Sequence, residues 1–290
     1  MATIREKGYH HWEGRLKEKP RAFWPIIRTG IKLAFERRRF KLLFAFSFVP
    51  AVVYGVGVYV SERLEDFKFM AQGAEKTLQV NPNFFKSYLT LDIIYFMILL
   101  LMSLGGAGLM ADDFKHKAVQ LYFSRPLTKL DYLFGKAGVV MFFVGVLTLV
   151  PGILLLILKL LFSGSFNFFL NYPWLLLSII FYSAFLMLFF AIFVLFCSSL
   201  SNNRNYAIAI MWSIYIFSDI LGAILKGIFR SPYSSLLSIK ANLGQVGAAF
   251  FLLKPPYDYP WYLSLLTLSL FSILAYVAIN RKVRGVEVIR

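Results

Sequence analysis

Six long runs of apolar residues, separated by polar segments, organise this chain. About 20 residues at a rise of ~1.5 Å each cross the hydrocarbon core of a bilayer, so a run of that length indicates a membrane-spanning helix. We therefore predict an all-α polytopic membrane protein with six transmembrane helices, Leu42–Val60, Leu91–Met110, Ala137–Leu161, Trp174–Cys197, Tyr206–Leu225 and Trp261–Ile279. Pro50 and Pro151 lie inside two of these runs. We expect kinks there, because neighbouring helices can bond the backbone groups that a proline leaves without a partner.

The residues before the first span predict an amphipathic helix. Residues 1–20 are charged and weakly patterned, whereas from Pro25 onwards the pattern has a helical period. The apolar stripe consists of Phe23, Ile27, Ile31, Ala34 and Phe35, and the polar stripe of Arg28, Lys32, Glu36 and Arg39. Such a helix lies along the membrane face, as a lipid anchor, as a contact surface for a soluble partner, or as both. We therefore divide the chain into an N-terminal arm, residues 1–41, and a transmembrane domain, residues 42–290.

A patterned polar segment, Asp112–Lys136, connects the second and third apolar runs. The acidic pair Asp112 and Asp113 opens it, and negative charge is favourable at the start of a helix. The residues that then share one face of the predicted helix are Phe114, Ala118, Leu121 and Tyr122. This short amphipathic helix is the first half of the segment.

The second half of the same segment contains a helix stop and a new helix start. Pro126 restricts Arg125 and ends the first helix. Thr128 precedes Asp131 by the three residues of a capping box, which begins the helix of the third span. A chance interfacial helix needs neither feature. The pattern therefore favours a docking element for a soluble partner over a plain connecting loop.

The distribution of basic residues predicts the orientation. The chain is 59% hydrophobic and carries a formal net charge of +16. Of its 31 Lys and Arg residues, 22 lie in the N-terminal arm, the polar segment, the turn after the fourth span and the C-terminal tail (twelve, five, one and four respectively). Because cytoplasmic loops carry the excess of Lys and Arg, we expect both termini in the cytoplasm and the protein in the cell (inner) membrane. The excess of basic residues in cytoplasmic loops, together with attraction to anionic lipid headgroups, explains the net charge of +16. We therefore expect no nucleic-acid partner.

The chain offers little for catalysis or metal binding. Its three histidines, His10, His11 and His116, have no metal-ligand spacing, and Cys197 is its only cysteine. No phosphate-binding loop is present, since Gly135-Lys136 is followed by alanine and lacks a glycine-rich cradle. We therefore expect no catalytic residues, no metal and no cofactor bound by this chain.

One acidic residue, Asp219, lies within the fifth predicted span. A charge at the bilayer centre costs about 2.5–3.5 kcal/mol on insertion scales, so such residues often serve a transport path or a subunit interface. Alternatively, Asp219 is hydrated or pairs with Lys226 near the end of the helix. An ion-coupled secondary transporter that uses Asp219 is the alternative function, although such a protein usually has more buried acids and an internal repeat.

The polar segment resembles the loop between the second and third spans of ABC-2 type transporter permeases. The residues that carry the resemblance are Asp112-Asp113, Ala118-Val119-Gln120-Leu121, Ser124-Arg125-Pro126-Leu127-Thr128-Lys129 and Leu133-Phe134-Gly135-Lys136. The order of elements is also similar, with an amphipathic N-terminal helix, six spans, a short turn after the fourth span and a larger loop before the sixth. Asp112 and Asp113 stand where glutamate is more usual in that family.

The resemblance implies a permease subunit, acting as an exporter, that pairs with a second permease copy and sits on cytoplasmic ABC ATPase subunits. ATP and Mg would then be bound by the ATPase partner. By the same resemblance, the segment forms a coupling helix in which Asp112, Asp113, Phe114, Lys117, Leu121 and Tyr122 contact the ATPase, with Arg125 and Pro126 fixing the shape of the loop. Membrane lipid is the remaining expected partner.

Overall fold

The computed structural model describes residues 23–63, 80–119, 127–164 and 166–287, with side chains up to residue 283. Over these ranges the chain is helical and contains no strand. In chain order the helices are α1 (Phe23–Glu36), α2 (Arg38–Phe46), α3 (Val49–Glu62), α4 (Pro82–Leu89), α5 (Asp92–Gly105), α6 (Gly108–Lys115), α7 (Lys129–Ser163), α8 (Asn167–Asn171), α9 (Leu175–Leu200), α10 (Arg204–Phe229), a 3-10 helix (Pro232–Leu237), α11 (Ile239–Phe250) and α12 (Trp261–Glu287).

Six stretches of the described chain are long and apolar enough to cross a membrane, which confirms the predicted number. They are Arg38–Glu62, Pro82–Lys115, Lys129–Ser163, Leu175–Leu200, Arg204–Phe229 and Trp261–Val283, which we call the first to sixth spans. The described residues are therefore all-α, and the length and composition of the six spans are those of a multi-pass membrane protein. Helix α1, the two ends of the Asp112–Lys136 segment and the end of α12 lie at one end of the bundle, the loop end. Helices α4 and α11 lie at the far end.

The predicted capping box starts the third span. The Thr128 hydroxyl accepts a hydrogen bond from the backbone N–H of Asp131 at 3.1 Å, and the Asp131 carboxylate accepts one from the backbone N–H of Thr128 at 3.2 Å. The cap satisfies backbone donors that a helix start leaves without partners. Helix α7 therefore begins at Lys129, well before the apolar run, and extends over 35 residues.

Pro151 lies inside helix α7 without ending it. A proline has no N–H, so the carbonyl four residues earlier, that of Leu147, loses its helical partner. The hydroxyl of Tyr88, from α4, donates a hydrogen bond to this carbonyl at 3.0 Å in the buried core. A neighbouring helix thus satisfies the group that the proline frees, as the sequence led us to expect.

Tyr88→Phe is expected to destabilise the protein by about 1–2 kcal/mol, because it leaves the buried Leu147 carbonyl without a donor. In a Pro151→Ala background the same substitution should cost much less, since the introduced alanine restores a backbone N–H to that carbonyl. The measurement is a double-mutant cycle of unfolding free energies in detergent. An equal cost of Tyr88→Phe in both backgrounds would refute the pairing.

Pro50 has a larger effect than the kink that we predicted. The first span is divided into α2, which ends at Phe46, and α3, which begins at Val49 with Pro50 in its first turn. Proline suits the first turn of a helix, because a backbone N–H at this position would have no acceptor within the helix. The hydroxyl of Ser47, in the break, donates to the Leu43 carbonyl at 2.7 Å. The first span is therefore two helices in series.

Helix α1 matches the predicted amphipathic helix, and it also packs closely against the protein. Arg28, Lys32 and Glu36 of the predicted polar stripe are exposed on α1, whereas Ala34 is buried. Arg39, the last residue of that stripe, lies in α2. Small residues allow the approach: a side chain at Gly135 would collide with Ile26, and one at Gly138 with Ile27. Such small residues let two helix backbones come close together. Helix α1 is therefore attached to the start of the third span as well as being suited to a membrane surface.

The far end is closed by α11, a helix buried within the bundle. Tyr182 of the fourth span donates to the Leu243 carbonyl of α11 at 2.9 Å, and its oxygen lies 2.8 Å from the hydroxyl of Tyr95. The amide of Gln245 bonds the backbone of Tyr257 and Tyr259 in the connection to the sixth span. The loop before the sixth span thus contains a 3-10 helix followed by a single α-helix, which buried polar contacts hold in the bundle.

The spans divide into a packed core and a poorly covered periphery. More than half of the apolar stretches of the second, third and fourth spans are buried. Only 17% of the first, 11% of the fifth and 22% of the sixth is buried. Since apolar side chains of a multi-pass protein face either lipid or another protein chain, the peripheral spans present the surfaces available for both.

Candidate functional site

The two sides of the Asp112–Lys136 segment are joined by an ion pair, which we call the polar bridge. Asp113 of α6 accepts from the ammonium of Lys136 of α7 at 2.6 Å and from the hydroxyl of Tyr132 at 2.8 Å. The side chains of Lys136 and Asp113 are 9% and 15% exposed. A shielded pair of this kind is held more firmly than a surface ion pair. The polar bridge therefore fixes the second span to the third at the loop end.

A hydrophobic cluster lies beside the polar bridge and holds both flanks of the segment. Val119, on one flank, is buried, and Leu127, on the other, packs on the same cluster. The other buried members are Met110, Tyr132, Leu133, Leu195, Ile279 and Val283. These residues come from the second, third, fourth and sixth spans. The hydrophobic cluster therefore joins both flanks of the segment to four spans.

The acidic pair does not open a helix, contrary to our prediction. Asp112 and Asp113 lie in α6, which begins at Gly108 and ends at Lys115. Lys117 then adopts a left-handed backbone conformation with φ of 54°. This conformation interrupts the helix. Phe114 and Ala118 consequently do not share one continuous helix face.

The predicted docking residues occupy different environments. Phe114 is partly buried, with the Lys282 ammonium 5.0 Å from the centre of its ring. Lys117 is exposed, and Asp112 lines a cavity beside α1. Leu121, Tyr122, Arg125 and Pro126 lie outside the described residues.

The second span is interrupted immediately before α6, at Gly106 and Ala107. Both of their backbone N–H groups donate to the Met102 carbonyl at 2.7 Å, so the helical pattern shifts by one residue. This shift deprives the Ser103 and Leu104 carbonyls of their regular partners. We call Gly105–Ala107 the helix break.

Two arginines satisfy the carbonyls at the helix break. Arg204, at the start of the fifth span, donates to the carbonyls of Leu104 at 2.6 Å and Ser103 at 3.2 Å. Arg37, between α1 and the first span, donates to the Leu104 carbonyl at 2.6 Å. A guanidinium provides five donors in a fixed geometry, which suits one group bonding two carbonyls. The break is therefore tied to the first and fifth spans.

A serine from the fourth span caps the helix that follows the break. The Ser198 hydroxyl accepts from the backbone N–H groups of Met110 at 3.0 Å and Ala111 at 3.1 Å, and it donates to the Ala107 carbonyl at 2.7 Å. The first N–H groups of a helix need such partners, and the residue at the cap position, Ala107, has no polar side chain. Ser198 takes the place of a local cap.

The sequence did not identify Arg37, Arg204 and Ser198 as residues of the helix break. The glycine-rich stretch at residues 105–108 signals close packing or a hinge, and it was the only local indication. Its partners lie between 67 and 101 positions away along the chain. No local pattern relates residues so far apart.

At the far end, Asp219 belongs to a cluster of charges centred on Lys240 of α11. The Lys240 ammonium lies 2.7 Å from the Asp92 carboxylate and 3.9 Å from that of Asp219, which also accepts from the Ser238 hydroxyl at 2.8 Å. The hydrogen bond to Asp92 raises the pKa of Lys240 above its ordinary value, so the lysine remains charged at neutral pH. The cluster connects the second and fifth spans to α11.

The pairing of Asp219 with Lys226 is not observed. Lys226 instead lies 5.3 Å from the centre of the Tyr257 ring. The Asp219 side chain is 48% exposed, so it is not an isolated charge in the bundle core.

In the described part of the chain, no group of three His, Cys, Asp or Glu side chains is placed to hold a metal ion. A scan of the chain against models of known protein families finds no match, and neither does a search among characterised proteins.

Proposed function

We propose that this chain is the membrane-spanning permease subunit of an ATP-binding cassette transporter of the ABC-2 type, acting in export. In this proposal a separate cytoplasmic ATPase binds ATP and Mg and docks on the Asp112–Lys136 segment. The loop end then faces the cytoplasm of the cell membrane, as the excess of basic residues there favours.

The observation that carries the proposal is the attachment of the segment to the bundle. The polar bridge between Asp113 and Lys136 and the hydrophobic cluster around Val119 and Leu127 join its flanks to the second and third spans. A connecting loop without a mechanical role needs no such attachment. A force that a partner exerts on the segment would act on α6 and on the start of the third span together, and the helix break next to α6 would accommodate the movement.

The poorly covered spans support pairing with a second permease copy. The fifth span is the least covered, and Ile216, Phe217 and Ile220 form an exposed face with a shallow hollow. A second copy, identical or paralogous, would cover this face in the proposed assembly. The rest of the periphery suits membrane lipid.

Ion-coupled transport through Asp219 receives less support. A coupling carboxylate is expected to be buried at mid-membrane and to change partners during transport. Asp219 is half exposed and lies beside Ser238 and Lys240 at the far end. A fixed electrostatic contact between the fifth span and α11 explains this arrangement.

The proposal is tested by purifying the tagged chain from its native membrane in mild detergent with a trapped nucleotide. We expect a soluble protein with a phosphate-binding loop to co-purify and to be identified by mass spectrometry. The double variant Leu121→Asp/Tyr122→Asp should lose it. The matched control is Leu237→Asp/Tyr233→Asp, which makes the same exchanges at two exposed positions of the far end.

Absence of such an ATPase from the wild-type preparation would overturn the proposal, and ion coupling through Asp219 would then become the leading function. Recovery of the ATPase with the Leu121→Asp/Tyr122→Asp variant at wild-type yield would instead refute the docking surface.

A further inference from the structure

A cavity of about 330 Å³ lies at the loop end between α1, the helix break and the start of the third span. Ligand pockets in proteins begin at about 300 Å³, so this cavity suits a small polar group rather than a whole amphiphile. Its apolar wall includes Pro25, Ile26, Leu33 and Leu109. Its charged lining consists of Arg37, Asp112, Asp113 and Lys136.

The four charged residues are not equivalent. Asp113 and Lys136 bond each other in the polar bridge. Arg37 and Asp112 carry opposite charges on the walls of the same cavity, yet the described part of the chain shows no ion pair between them. Arg37 uses one of its five donors on the Leu104 carbonyl, and the Asp112 carboxylate makes no hydrogen bond to any described residue. A ligand that carries both a cation and an anion would complement the two.

The Asp112 carboxylate folds back against its own helix at Gly108. A Cβ at residue 108 would collide with this carboxylate, so the glycine leaves the room that it occupies at the cavity wall. Arg204 lies nearby and attracts the Asp112 carboxylate, but its guanidinium donates its hydrogen bonds to the Ser103 and Leu104 carbonyls. No described residue donates a hydrogen bond to the Asp112 carboxylate, so its oxygens can accept hydrogen bonds from a ligand ammonium.

The surroundings of the cavity are suited to a lipid. Leu33, which lines the cavity, is 52% exposed, and Trp24 on the same helix is 60% exposed. Amphipathic helices with such residues lie at the boundary between headgroups and acyl chains. A headgroup inside the cavity would leave its acyl chains against this apolar surface.

We propose that the cavity binds the ethanolamine phosphate headgroup of a membrane phospholipid, with its ammonium at Asp112 and its phosphate at Arg37. The primary ammonium donates hydrogen bonds to the carboxylate, and the guanidinium bonds the phosphodiester, a pairing of the charge-assisted kind. The site does not depend on the proposed transport function, and binding alone tests it.

The test uses the delipidated full chain in nonionic detergent and native mass spectrometry with dioctanoyl-phosphatidylethanolamine. We expect one bound lipid per chain, retained at about tenfold lower concentration than dioctanoyl-phosphatidylcholine, whose quaternary ammonium has no N–H donor. Asp112→Asn, a nearly isosteric change, should abolish this preference. Arg37→Gln should weaken binding of both lipids, because both contain the phosphate.

The matched controls are Glu36→Gln and Lys32→Gln, which remove one charge each from exposed positions of α1 that do not line the cavity. Both should bind as the wild type does, and unfolding temperatures should show that all variants remain folded. Equal retention of the two lipids by the wild type would overturn the proposal, as would a preference for dioctanoyl-phosphatidylglycerol. Equally strong binding of free phosphoethanolamine would show a soluble ligand instead of a lipid.

Discussion

Ser198→Ala is expected to lower the free energy of unfolding by about 3 kcal/mol, the largest effect of any single hydroxyl deletion that we predict. The substitution leaves two backbone N–H groups, of Met110 and Ala111, and one carbonyl, of Ala107, without their partner. Each unsatisfied buried group costs about 1–3 kcal/mol. Ser198 itself is fully buried, so water does not readily replace its hydroxyl. The measurement is a denaturation titration of the purified chain in detergent.

The neighbouring Ser199 provides the control. Its side chain is also buried, but its hydroxyl donates to the Phe196 carbonyl within its own helix at 2.8 Å. Ser199→Ala should therefore cost less than about 1 kcal/mol. Equal costs for Ser198→Ala and Ser199→Ala would show that the cap on α6 contributes no more than a local helix contact.

Lys136→Met is expected to destabilise the protein by about 3–5 kcal/mol. It removes the cation of the polar bridge and leaves the shielded Asp113 carboxylate with the Tyr132 hydroxyl as its remaining donor among the described residues. Breaking one half of a buried ion pair has an effect of this size because the remaining charge is uncompensated. Lys115→Met, at an exposed position of α6, should change the stability by less than about 0.5 kcal/mol.

The double variant Asp113→Leu/Lys136→Met separates the charge effect from the packing effect. Replacing both members by apolar groups removes the uncompensated carboxylate, so most of the lost stability should return. If the double variant is as unstable as Lys136→Met alone, the loss arises from packing of the lysine stem and not from the ion pair.

The two predictions concern the same mechanical unit. Helix α6 is capped by the fourth span through Ser198 and bonded to the third span through the polar bridge. The helix break above it is held by Arg37 and Arg204. If the chain is the permease that we propose, an ATPase acting on the segment would move α6 as a rigid lever about the break. In that case we expect the double variant Asp113→Leu/Lys136→Met to fold normally but to lose the coupling of ATP hydrolysis to transport.

The helical architecture was largely predictable from local sequence. The six spans, the amphipathic α1 and the capping box at Thr128 depend on residues only a few positions apart, whose spacing determines helix period and helix start. Likewise, it was predictable that the carbonyl freed by Pro151 needs a donor from a neighbouring helix. It was not predictable that Tyr88 is this donor, because Tyr88 and Leu147 are 59 positions apart.

The arrangement of the candidate site was decided by tertiary structure. The acidic pair Asp112 and Asp113 belongs to the end of the second span, although local charge patterning favoured the start of a new helix. Asp219 lies beside Lys240 of α11, although Lys226 belongs to the same helix as Asp219 and is nearer to it along the sequence. In both cases a carboxylate, that of Asp113 or of Asp219, lies beside a cation from another element, because a fixed cation stabilises a carboxylate more than local helix preference does. Local sequence thus specifies which segments are helices, whereas the packing of the bundle specifies which polar groups meet.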